Sequence, residues 1–161
     1  MPRITAKRVQ AQTLRGLPLA LRPKKGVMPV NLKFKVAKLW FPVALCMAVI
    51  FYTSSIPGRD VPSLFPYQDL IYHLLIFFLL ACFFIRAMKN TFPAFGHIKI
   101  VLFTTIFVII YGLTDEWHQS FVPLRTVSVF DFFIDCLAGF AACILFVFRQ
   151  LALSERKVCL K

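Results

Sequence analysis

From position 36 onward, four long apolar runs alternate with short polar breaks. The runs cover about Val36–Thr53, Asp69–Ala87, 98–117 and 126–148. Each is close to the ~20 residues that a helix needs to cross a hydrocarbon core. None shows the strict alternation of a half-buried strand. The breaks "SSIPGRDVPSLFPYQ" and "MKNTFPAFGHIK" carry the proline and glycine that end helices and turn chains. Pro42 falls near the start of the first run, where a membrane helix tolerates it. The pattern predicts an all-α, polytopic membrane four-helix bundle over 36–148. A basic tail, flexible or loosely attached, is expected over 1–35, and a short polar tail over 149–161. The first tail lacks the apolar core of a cleaved signal peptide.

Composition strengthens this reading. The chain of 161 residues is 59% hydrophobic, whereas soluble domains run nearer roughly 45–50% apolar. A formal net charge of +12 ordinarily raises nucleic acid as a partner. Here the placement of the charge argues against it. Ten of the nineteen Lys and Arg precede residue 39, and the others gather mainly around the second break and after the last run. The first and third breaks hold only Arg59 and Arg125. Positive-inside bias therefore predicts both termini and the middle turn in the cytoplasm, with basic residues against anionic inner-leaflet lipid. Six of the seven acids map to the opposite, outward side; Glu155 is the exception.

Four of those seven acids fall within one stretch of 21 residues, Asp115 to Asp135, at the third break. Helical spacing relates them. Asp69 and His73 are i,i+4, as are Asp115 with Gln119 and Asp131 with Asp135, while Glu116 and Gln119 are i,i+3. A carboxylate as deep as Asp135 is costly unless it faces the bundle or a wet cavity. The expectation is a shallow outward pocket lined by Asp69, His73, Glu116, His118, Gln119, Arg125, Asp131 and Asp135. Polar groups at helix ends also have plainer uses: Thr126 or Ser128 as a cap, Arg125 neutralising Asp131 or Glu116, Trp117 and His118 in the interfacial belt.

A carboxylate with a histidine suits general acid–base work, and an arginine can hold phosphate bidentately. Glu116, Asp131 and His73 are thus the candidate catalytic groups. Arg125 is the candidate headgroup clamp, with Gln119, Asp69, Asp135 and His118 as binding groups. The chain holds no HExxH, G-x-S-x-G or glycine-rich phosphate loop. No metal is assigned, and no motif names a cofactor. Gly112 and Gly139 read as close-packing positions. Cys46, Cys82, Cys136 and Cys143 lie in the runs and read as buried thiols; Cys159 is in the tail.

The stretch "YGLTDEWHQSFVPLRTVSVFDFFIDCLAGF" resembles the hallmark segment of the VanZ-like membrane proteins. Gly112, Glu116, Gln119, Pro123, Arg125, Asp131 and Gly139 match its pattern, and "SSIPG" and "DLIYHLLIF" resemble the first outer loop and second helix. Leu70, Leu124 and Asp135 depart from the usual lysine, glycine and asparagine. The resemblance implies a bacterial inner-membrane protein with an outward-facing site, in a family named for a glycopeptide-resistance phenotype. Together these readings lead to an envelope enzyme or binding factor for an anionic lipid or lipid-linked wall precursor. An accessory membrane subunit held together by its polar cluster is the alternative. The sequence names no oligomeric state and no protein partner.

Overall fold

The computed structural model describes residues 32–62 and 64–159, with side chains from Phe34 to Arg156. Most of the expected 1–35 tail lies outside them. Among the described residues there are four helices, α1 Leu32–Ser54, α2 Gln68–Thr91, α3 His97–Gln119 and α4 Val129–Cys159, and a 3-10 turn at Gly58–Asp60. All four are long and apolar enough to cross a membrane. Helix α1 continues through Pro42.

Helix α1 starts at Leu32 rather than Val36 and α2 runs to Thr91 rather than Ala87, and α4 differs from the sequence expectation at both ends. Helix α4 begins at Val129 rather than 126, because Leu124 turns the chain in a left-handed conformation (φ 60°) and Ser128 caps the new helix. The Ser128 hydroxyl accepts the Asp131 N–H at 3.2 Å, the side-chain cap that opens a helix. Helix α4 also runs on to Cys159, so the expected polar tail is helical as far as that residue. At ~1.5 Å per residue its 31 residues span about 46 Å, well beyond a hydrocarbon core of about 30 Å.

The core forms where one face of each helix turns inward. Leu39, Val43, Cys46 and Ile50 of α1 share a stripe, as do Phe77, Leu80, Ala81, Phe84 and Met88 of α2. On α4 the buried residues are small or cut across by small ones: Asp135, Ala138, Ala142, Cys143 and Phe146. Helices in lipid gain little from hydrophobic transfer, so close packing and interhelical hydrogen bonds must hold them. Gly139 shows how close. A Cβ there would lie 2.8 Å from Val108 Cγ1, so α3 and α4 meet where α4 presents only hydrogen. The outer surface is apolar in turn, with Phe41, Ile98, Phe140 and Phe148 all exposed.

Two short breaks lock together at the end of the bundle where α1 and α3 finish and α2 and α4 start. Gly58 N–H donates to the Pro123 carbonyl at 3.1 Å. A Cβ on Gly58 would sit 1.8 Å from the Leu124 carbonyl oxygen, an impossible contact. The loops expected to lie on one side of the membrane therefore touch through backbone.

Candidate functional site

Helix α3 carries one buried stripe that changes character along its length. Ile100, Thr104, Val108 and Gly112 are followed by Asp115, Glu116 and Gln119, all buried on the same face. The last turn of this stripe meets α2 and α4 at the polar end. Gly112 permits the meeting: a Cβ there would press within 3.3 Å of Asp135 Oδ2.

Four ionisable groups converge. Asp135 of α4 is fully buried and pairs with His73 of α2, its Oδ1 lying 3.0 Å from Nδ1. An ionised Asp135 makes Nδ1–H the donor of this bond. Asp115 is buried under two donors, the Ser54 hydroxyl to Oδ1 at 2.7 Å and the Gln119 amide to Oδ2 at 3.0 Å. Glu116 Oε2 accepts the Ser128 N–H at 2.9 Å. In a capping box that N–H would go to an acid of its own helix; here α3 supplies the carboxylate and so ties itself to the start of α4. Two buried oxygens, Glu116 Oε1 and Asp135 Oδ2, have no hydrogen-bond partner among the described residues.

The predicted pocket is divided into parts. Beside the buried cluster lies a cleft of about 350 Å³ whose wall includes Asp69, Gln119, Leu124, Arg125, Thr126 and Asp131. Gln119 belongs to both, lining the cleft while bonding Asp115. His118 belongs to neither: it stacks on Phe51 with ring centroids 4.4 Å apart, on another face of α3. Ser55 gives its proton to the Phe51 carbonyl, so His118 Nε2–H is the donor to Ser55 Oγ at 2.9 Å.

Arg125 does not neutralise an acid. Its Nε donates to the Ile56 carbonyl at 3.1 Å and its Nη2 to the Thr53 carbonyl at 2.9 Å. It thus binds carbonyls at the C-terminal end of α1 and just past it, where a cation also suits the helix dipole. Asp69 is exposed and its i,i+4 neighbour His73 turns to Asp135 instead.

Asp115 and Ser54 are the residues that sequence reasoning left out of the site. The i,i+4 relation of Asp115 with Gln119 was the available signal for the first. Ser54 offers no local sign, since its partner is 61 residues away. One ligand atom each from His73, Asp115 and Glu116 lies within 4.8 Å of the others. The sequence assigned no metal here because ligands on two helices make no short motif.

Compared with known proteins, the chain matches no protein-family model, no curated protein and no solved structure.

Proposed function

We propose that this chain is a VanZ-like protein of a bacterial cytoplasmic membrane, which binds the headgroup of an anionic lipid or lipid-linked envelope precursor in the outer leaflet. The observation that carries this reading is the cleft at the polar end. In a bundle whose outer surface is apolar, it gathers one arginine, two acids and two amides from α2, α3, α4 and the loop before α4. Arg125 with Asp69 and Asp131 suits a headgroup that bears a phosphate together with hydroxyl or amine donors. The distribution of Lys and Arg favours termini in the cytoplasm and this end facing outward. The motif residues quoted for the family also support it. Gly112, Glu116, Gln119, Arg125 and Asp131, distant in part along the chain, surround this one end.

Proton transfer at the cleft falls to Asp131. It is half-buried, lines the cleft, and its carboxylate accepts no hydrogen bond among the described residues. Glu116 sits behind, held by Ser128. One observation favours the alternative of a purely structural polar cluster: both bonds made by Arg125 go to backbone carbonyls. For that reason Arg125→Ala cannot test ligand binding cleanly, since it also frees the end of α1.

Thr126→Trp is a better probe, because Thr126 is an exposed residue of the cleft wall. Native mass spectrometry of the purified chain in mild detergent, with identification of bound lipids, should find an anionic or prenyl-phosphate lipid on wild type. The Trp variant, equally folded by gel filtration, should lose it. Identical lipid profiles for the two proteins would sink the headgroup reading and leave the structural one. If a lipid is found, Asp131→Asn should keep it bound and abolish any turnover.

A further inference from the structure

The geometry points to a divalent metal site inside the bundle, in which His73, Asp115 and Glu116 hold one ion and Asp135 orients the histidine. The site lies beside the cleft, and the inference does not depend on what the cleft binds.

Three observations converge on it. Ligand atoms of His73, Asp115 and Glu116 lie within 4.8 Å of one another, a spread that small side-chain rotations close around a single ion. Glu116 is 94% buried with Oε1 unpartnered, and fully buried Asp135 has Oδ2 unpartnered. A buried polar atom left without a partner ordinarily costs about 1–3 kcal/mol, so such atoms are rare without a ligand. Third, the charges do not balance. Among the described residues no lysine or arginine pairs with Asp115, Glu116 or Asp135; His73 is the one basic partner. Three buried carboxylates in a low-dielectric bundle need a compensating cation or protons.

The surroundings are those of a ligand set. Asp135 Oδ1 lies 3.0 Å from His73 Nδ1 and fixes the ring; with the ring proton on Nδ1, Nε2 is the free base. A carboxylate behind a histidine in this way is the usual support of a ligating imidazole. Ser54 and Gln119 brace Asp115 in the same manner, and Ser128 braces Glu116. Each of these bonds uses one lone pair of a carboxylate that offers about four. One imidazole with two carboxylates favours a borderline transition ion such as zinc over calcium or magnesium, which prefer all-oxygen sets.

The test uses the full chain in detergent micelles, stripped with chelator and titrated with zinc chloride alone. Calorimetry should show one ion per chain. X-ray absorption at the zinc edge should show one imidazole nitrogen with oxygen neighbours and no sulfur. His73→Ala and Glu116→Gln should lose this binding, while His97→Ala and His118→Ala keep it. Asp135→Asn should weaken it about tenfold to hundredfold, the usual effect of removing a support for a ligating histidine. Absence of stoichiometric binding to wild type overturns the proposal, and so does binding that His73→Ala leaves unchanged. Should either ligand variant misfold, the wild-type absorption spectrum decides: a sulfur shell, or no imidazole, rejects the site.

Discussion

Leu124 shows what one residue can reveal. It holds φ at 60° and is 73% exposed, so it bears left-handed strain without packing in return. That conformation costs an ordinary residue roughly 1–2 kcal/mol, and glycine adopts it freely. Leu124→Gly should therefore raise thermal stability, by about 1 kcal/mol after glycine's entropy loss is counted. A melting curve in detergent checks the sign. The resemblance to VanZ-like proteins expects glycine at this place, and the backbone supplies a physical reason for that preference. Gly58 is the opposite case. Its missing Cβ leaves space for the Leu124 carbonyl, so Gly58→Ala should push the two loops apart and lower stability by about 1–3 kcal/mol, the usual cost of overpacking. If Gly58→Ala melts with wild type, the loop junction is loose enough to relieve the 1.8 Å contact with the Leu124 carbonyl.

At the scale of elements, α3 and α4 approach closely at Gly139, which lies against Val108. Gly139→Leu should hold the helices apart and reduce membrane accumulation, whereas Phe140→Leu on the exposed face of α4 should not. Comparing the two in one expression trial separates helix packing from simple loss of apolar character. The polar contacts follow the same logic. Ser54 to Asp115, His73 to Asp135 and Ser128 to Glu116 each join two helices at one end. Interhelical hydrogen bonds in membranes are worth about 0.6 kcal/mol on average, so no single one of these fixes the bundle. Their common location suggests that they shape a site rather than merely add strength. Run length made the helices legible in advance, because the apolar stretches are as long as a membrane demands. The start of α4 was less legible: whether Thr126 or Ser128 caps it depends on the turn at Leu124, which sequence alone does not encode.

For the molecule as a whole, the two ends differ in chemistry. Arg86, Lys89 and Arg149 gather at the end where α2 finishes, around a cavity of about 710 Å³ between α2 and α4. All the acids except Glu155 gather at the other. If the basic end faces the cytoplasm, a cysteine introduced at Arg59 should react with a membrane-impermeant maleimide in intact cells, in a background lacking the native cysteines. One introduced at Asn90 should react only after permeabilisation. The reverse pattern would invert the bundle and place the acidic site inside.

The sequence by itself determined the number of helices, their membrane length, and that acids crowd the ends of α2, α3 and α4. These follow from run length and helical spacing, which are local properties of the chain. It also grouped Asp131 with Asp135 and Asp115 with Gln119, since neighbours on one helix share a face. Only the tertiary structure decided which of these groups meet across helices. It gave Arg125 to the carbonyls of Thr53 and Ile56, turned His118 away to Phe51, and brought His73, Asp115, Glu116 and Asp135 into one buried cluster. Contacts across some 60 residues depend on how helices rotate and where glycine lets them approach. No spacing along a single helix records that rotation.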